Sequence, residues 1–456
     1  MLKRFINKDW VLKSMGHLTS KAYYDLQKRL DENPQSAPES KILFKILKIL
    51  FSEKEAKDAS LLPLNLFTAT DASKLWGKNI TETKKELNQM ADKGLLVDMY
   101  NGKEQYYFLA PPMVGFFELA LMRTDGKFNE QVLSELLADY LDKDDEYLKK
   151  GISVYPLFYR VFIQEDTLKP KTLILDYERA KKVISTSSCI TLGRCYCRHK
   201  KEHEGKKCNF PQNTCMSFNK AAENLHKHGI AKKISKKKAL ENLDRCVKLG
   251  LVQIGDNVQN NVNWICNCCS CCCEAIGFYK RYRAGIDLTS NFVAKNSMKT
   301  CTLCETCIKK CPVDAIKIIK NKNKEYIKIN QNICIGCGVC VNSCQVKNLT
   351  MIRKEKISPV PKDNFELMIL EAIDKNRLQN YLFEGNNSIT QDILKKFIGF
   401  LLKLPPTKYA LANQQLKSKF LNMLAKTDSY KNFKALYNKT EKSIDYSHNE
   451  LKLLKK

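Results

Sequence analysis

Cys301, Cys304, Cys307 and Cys311 are spaced two, two and three residues apart, with Pro312 following, and Cys334, Cys337, Cys340 and Cys344 repeat that spacing. A tight loop with a thiolate every third residue wraps three corners of an iron-sulfur cube, while the fourth cysteine, pushed onto a following helix, reaches elsewhere. The chain has 20 cysteines, none before Cys189 and none after Cys344. Disulfides would account for many cysteines in a small secreted domain, but in a chain of 456 residues such clustering reads as metal binding.

The segment from Cys301 to Cys344 resembles the bacterial ferredoxin domain with two 4Fe-4S clusters, over about residues 296–353. The resemblance implies two interlocked clusters, one on Cys301, Cys304, Cys307 and Cys344, the other on Cys334, Cys337, Cys340 and Cys311. Ala315 to Ile319 and Tyr326 to Ile329, joined by an Asn-Lys turn, supply the strand pair expected between the halves. The second repeat departs from the family pattern in having Gln345 where proline is usual, which predicts a change of geometry or potential and no loss of a cluster.

Twelve further thiols lie upstream. They are Cys189, Cys195, Cys197, Cys208, Cys215, Cys246 and the run Cys266, Cys268, Cys269, Cys271, Cys272 and Cys273. Neighbours in a strand face opposite sides, so the six in that run cannot all address one metal from one regular element. One four-ligand grouping is Cys195, Cys197, Cys208 and Cys215, with a second site drawn from four of the run; each would hold a further iron-sulfur cluster. Zinc is the alternative at the first, on four cysteines or on two with His199 and His203. Cys189 and Cys246 read as buried thiols, and His226 and His228 as exposed residues of a lysine-rich helix. The dense run resembles the paired cysteines of heterodisulfide-reductase-like domains, although it reads Cys-Cys-Ser in place of Cys-Cys-Gly. More broadly, the Cys-x-Cys-Arg segment, the run and the ferredoxin unit resemble multidomain iron-sulfur proteins of anaerobic bacteria, which implies electron transfer and names no substrate.

The expected architecture is an α+β multidomain chain: an arm (1–39), a winged-helix-like domain (40–112), a helical region (113–179), a cysteine-rich domain (180–295), the ferredoxin-type domain (296–353) and a helical carboxy-terminal tail (354–456). The winged-helix resemblance rests on a short helix that Asp71 can cap and Gly77 ends, a helix with the capping box Thr83-Lys-Lys-Glu86 that Gly94 stops, and a hairpin turning at Asn101-Gly102. It implies DNA binding through Lys84, Lys85, Gln89 and Lys93, with no arginine to fork a guanine. Residues 115–164 read as helices around a solvated acidic turn at Asp142. A second helix, from a Ser235 cap to Gly250, precedes another hairpin and echoes the first.

The formal charge is +28, from 77 basic and 49 acidic residues. Between Ala180 and Ser290, 20 basic residues face 8 acidic ones, which offsets thiolate charge and suits docking of an acidic ferredoxin or flavoprotein by steering. No glycine-rich phosphate loop, dinucleotide fingerprint or Ser/His/Asp set occurs. With no apolar run long enough to span a bilayer and no signal-peptide pattern, a cytoplasmic protein is expected. The function that follows is an iron-sulfur electron relay, a component of a larger oxidoreductase system. The alternatives are a redox-sensing winged-helix regulator that binds nucleic acid, and a reductase acting on a disulfide or small sulfur compound at Cys266 to Cys273.

Overall fold

The computed structural model describes residues 20–382 apart from 144–146, 148–149, 152–153, 170–171, 284–285, 298–299, 322–323, 356 and 359, together with residues 431, 434, 435 and 438. The expected helical tail beyond residue 382, with its Pro405-Pro406 break, lies outside the described residues except for those four.

The amino-terminal unit starts with a helix, Lys21–Asp31, that buries Tyr23, Leu26 and Leu30; residues 20–39 are thus part of a core and not a free arm. The Asn33 to Pro38 segment is tied down as well, since Gln27 donates to the Ala37 carbonyl at 2.7 Å. The helix Lys41–Leu50 buries Leu43, Phe44, Ile46, Leu47 and Leu50. Each such side chain contributes roughly 1.5–3 kcal/mol.

A three-stranded sheet follows, β1 (Phe67–Thr68), β2 (Leu96–Tyr100) and β3 (Gln105–Leu109), in the order β1-β3-β2. The helices Ala69–Trp76 and Ile80–Lys93 lie between β1 and β2, ended by Gly77 (φ +64°) and Gly94 (φ +80°) in the left-handed conformation. The amino-terminal caps differ from expectation. Thr68, not Asp71, caps the first helix, with Asp71 closing a capping box three residues in. Asn79 caps the second, so Thr83 lies buried one turn inside it and Glu86 pairs with Lys54 and Lys78.

The central layer is a six-stranded antiparallel sheet of β4 (Tyr159–Phe162), β5 (Ile190–Arg194), β6 (Asn213–Phe218), β7 (Ala231–Lys233), β8 (Val252–Asp256) and β9 (Trp264–Cys268), in the order β4-β8-β9-β6-β5-β7. Residues 159–162 therefore form an edge strand where helix was expected. Their four positions are all buried, which hides the alternation that marks a strand. Asp142 is not a solvated turn residue: it pairs with Lys201 and Arg281, each at 3.1 Å. Ser235 caps the helix Lys236–Lys248 as expected, but the β8–β9 hairpin that follows sits inside the sheet and does not form a wing.

The third unit pairs β10 (Phe292–Asn296) with β13 (Leu349–Arg353), and β11 (Ile316–Asn321) with β12 (Lys324–Ile329), both antiparallel. Two helices, Asn364–Asp374 and Leu378–Leu382, then return to the amino-terminal unit, where Asn65 donates to the Tyr381 carbonyl at 2.8 Å. Among the described residues no helix is long and apolar enough to cross a membrane.

Candidate metal centres

The two cysteine repeats in the third unit have the same backbone. Leu303 and Glu305 in the first, and Gly336 and Gly338 in the second, stand two and four residues after the leading cysteine, and all four take positive φ, between +56° and +88°. Asp314 and Lys347, each three residues after the last cysteine of its repeat, do the same at +57° and +50°. One residue on, the Ala315 N–H donates to Cys311 Sγ at 3.2 Å and the Asn348 N–H to Cys344 Sγ at 3.3 Å. These turns aim amides at sulfur, as thiolates carrying negative charge require. The expected geometric change at Gln345 is not seen, because the turn matches the one after Pro312.

Glycine is needed in only one repeat. A Cβ at Gly336 would stand 2.1 Å from the Phe292 carbonyl oxygen and 2.2 Å from Ser290 Oγ, whereas Leu303 holds the matching place in the first repeat. The thiols also neighbour one another across the repeats. Cys307 is pushed up to about 11 by burial and then by Cys301 and Cys344; Cys337 is pushed up by burial and then by Cys334 and Cys311. Residues 300–354 match a family model described as a 4Fe-4S dicluster domain. No curated protein and no solved structure matches the chain. The chain therefore carries an iron-sulfur domain that binds 4Fe-4S, and an electron-transfer role follows from it.

Upstream of the dicluster domain, ten thiols separate into two sets, and the separation follows strand geometry. Along β9, Cys266 and Cys268 share one face by the period of two, and Asn267 takes the other, where it donates to the Thr214 carbonyl at 2.8 Å. β6 and β9 pair with Met216 opposite Ile265, which sets Cys215 beside Cys266. Cys195 and Cys197 enter at the start of the helix Tyr196–His203, and Cys273 precedes the helix Glu274–Arg281. The result is a closed ring of neighbouring thiols in the order Cys195, Cys197, Cys273, Cys268, Cys266, Cys215. Around it, hydrogen bonds from both neighbours hold Cys195 and Cys273 down and Cys266 at about 6, while the alternate members Cys197, Cys268 and Cys215 are pushed up.

Cys208, Cys269, Cys271 and Cys272 form the second set, with all four Sγ atoms within 4.8 Å of one another. This corrects the grouping of Cys208 with Cys195, Cys197 and Cys215. The loop that carries Cys208 crosses to the turn after β9, where the chain leaves the strand period and frees Cys269, Cys271 and Cys272 from the ring. Cys246 stays a buried thiol beside them, pushed up to about 11 by burial, and Cys189 is buried apart. His199 and His203 do not join the thiols either. Their rings lie tilted to each other near Glu130, with His199 Nδ1 2.7 Å from the Leu121 carbonyl oxygen. His226 is exposed, but His228 is not: it is buried between Asp92 and Asp98, at 2.6 Å from each.

Sequence reasoning missed the cations that face these thiols. Arg198 is 2% exposed and donates to the carbonyls of Pro211 and Asn267, at 2.8 and 2.7 Å, and to Thr214 Oγ1 at 2.8 Å, with its charge facing Cys195 and Cys269. Lys200, wholly buried, pairs with Glu274 at 2.6 Å. Their place in the Cys-Tyr-Cys-Arg-His-Lys segment was the available signal, since a basic residue on a helix that opens with ligand cysteines must face the thiolates or solvent.

The ring forms part of the wall of a cavity of about 480 Å³ between the central sheet, β2, β3 and the helix Asn364–Asp374. Most of its lining is apolar, including Val97, Phe108, Met113, Met216 and Trp264. Its polar lining includes Glu118, Tyr159 and Tyr196. Glu118 is pushed up to about 7 by burial, while the Gly115 N–H donates to its carboxylate at 3.1 Å. The buried hydroxyls of Tyr159 and Tyr196 have no hydrogen-bond partner among the described residues. Val114, a β-branched residue with φ +50°, is strained at the rim.

Proposed function

We propose that this protein is an electron relay in which the dicluster domain, carrying two 4Fe-4S clusters, passes single electrons between an external redox protein and a metal-sulfur centre on the six-thiol ring. The observation that carries this reading is a gradient of burial. In the first quartet Cys304 is exposed, Cys301 and Cys344 are half-buried and Cys307 is buried, whereas in the second none is exposed, Cys311 and Cys334 being half-buried and Cys337 and Cys340 buried, and Cys337 shares one continuous core with Cys268 and Cys273 of the ring. The inner repeat is also fastened to the central sheet. The Gln164 N–H donates to the Cys337 carbonyl at 3.2 Å, and Asn342 donates to the Gln164 side chain at 2.6 Å.

When bound, the clusters supply one-electron acceptors whose potentials follow burial and hydrogen bonding to sulfur. Exposed Lys309, Lys310, Lys317, Lys320 and Lys347 on the same unit suit an acidic partner such as a ferredoxin or flavoprotein. In anaerobically purified protein, iron should exceed the roughly eight atoms that two cubanes need, and reduction by an acidic ferredoxin should slow as salt rises. Iron at or below eight, or a rate indifferent to salt, would remove the ring centre or the steering from this picture.

A second reading is favoured by the cavity. A six-thiol centre facing an apolar chamber with two unpartnered hydroxyls and a carboxyl suits reduction of a disulfide, in which two electrons from the relay and two protons yield two thiols. With an artificial donor, turnover of a disulfide that is abolished by Cys266→Ser would establish it. No turnover would leave the relay alone.

The order of helices and strands over residues 41–109 supports the winged-helix reading, and one side of the unit is engaged within the molecule while Lys84, Lys85 and Gln89 stay exposed. Asp92, on the helix Ile80–Lys93, and Asp98, on β2, both hold His228, and Lys93 pairs with Glu55. The engaged side supports a docking role, and the exposed Lys84, Lys85 and Gln89 keep DNA binding as the alternative that a duplex-binding assay at physiological salt decides.

A further inference from the structure

We infer that Cys208, Cys269, Cys271 and Cys272 bind one zinc ion as a mononuclear tetrathiolate site, separate from every iron-sulfur centre of the chain. The argument is one of size. Four thiolates around a single tetrahedral ion at about 2.3 Å stand about 3.8 Å apart, the edge of the tetrahedron. Here the four sulfurs lie within 4.8 Å of one another, and Cys271 Sγ and Cys272 Sγ are 3.7 Å apart. In a 4Fe-4S cubane each thiolate ligates a different iron at its own corner, which spreads the ligand sulfurs more widely.

The dicluster domain provides the comparison within the same molecule. Among the described residues neither of its quartets, nor any three members of the ring, draws together within 4.8 Å; the four-thiol set does. It is assembled from a turn and a distant loop, so an ion there ties the Cys208 loop to the end of β9. Iron(II) in a tetrathiolate would have similar geometry, and the order of divalent affinities places zinc above it. The charge of about −2 on such a site is offset in part by the buried Arg198 guanidinium, whose charge faces Cys269.

The test is metal and sulfide analysis of the full-length, anaerobically purified protein with X-ray absorption at the zinc edge. One zinc per chain with four sulfurs at about 2.3 Å is expected. Cys271→Ser, at an exposed ligand, should lower zinc well below one per chain while iron and sulfide stay unchanged. Exchange of cobalt(II) into the wild type should give the intense absorption of a tetrahedral tetrathiolate. Zinc absent from the wild type, zinc bound with nitrogen or oxygen ligands, or loss of about four irons in Cys271→Ser would each overturn the proposal. The wild-type spectrum decides the matter even if the variant fails to fold. Iron content decides the relay independently, so one reading can fail without the other.

Discussion

Arg198→Met is expected to destabilise the folded protein by about 3–5 kcal/mol and to release metal from the upstream thiols, although methionine fills much of the same volume. The guanidinium donates to three acceptors at once, from the Pro211 loop, β6 and β9, and its charge faces Cys195 and Cys269. Its removal leaves each acceptor unpaired and leaves negative thiolates without their nearest cation, so the cost exceeds that of one hydrogen bond. The measurement is the urea midpoint of anaerobic protein together with iron and zinc content. Arg198→Lys restores charge without the planar fork and should recover only part of the loss. A change below about 1 kcal/mol in Arg198→Met would show that the thiols hold the site without it.

The second large effect is expected at Asp98. Its side chain receives hydrogen bonds from Asn224 at 2.7 Å and Gln105 at 2.6 Å, faces His228 at 2.6 Å and pairs with Lys227, which joins the amino-terminal unit to the central sheet. Burial alone would raise its carboxyl, but hydrogen bonds from His228 and Lys227 outweigh that and hold it at about 2. A depressed carboxyl stabilises the fold at pH above its unfolded value of about 3.9, here by about 2 kcal/mol, and the contribution is lost as pH falls towards 2. In neutral buffer, Asp98→Ala should cost about 3–5 kcal/mol because His228 and Lys227 lose their anion, and should speed hydrogen exchange along β2 and the helix Asn219–Lys227. It should also flatten the acid limb between about pH 4 and pH 2 relative to the wild type. An unchanged acid limb would place the latch elsewhere.

Local chemistry was legible in the sequence where it depends on few residues. The two repeats imposed their turns by spacing, Gly77 and Gly94 ended their helices, and Ser235 began one. The partition of the upstream thiols was not legible, because it depends on which strands lie side by side. Cys215 meets Cys266 only through the register of β6 on β9, and Cys208 reaches its partners across more than fifty residues of chain. The parity argument did apply within β9, where Cys266 and Cys268 share one face and Asn267 takes the other. His228 was misread for a similar reason: a lysine-rich helix looks solvated until a second unit brings two aspartates to it.

The gradient from exposed Cys304 to buried Cys340 has a consequence for survival in air. In the proposed relay, oxidant arriving from solvent reaches exposed Cys304 before the thiols of the six-membered ring, none of which is exposed, so damage there would act as a fuse, cutting the supply of electrons while the ring is still shielded. A molecule that has lost its input in this way is idle but intact, and repair of one accessible site restores it.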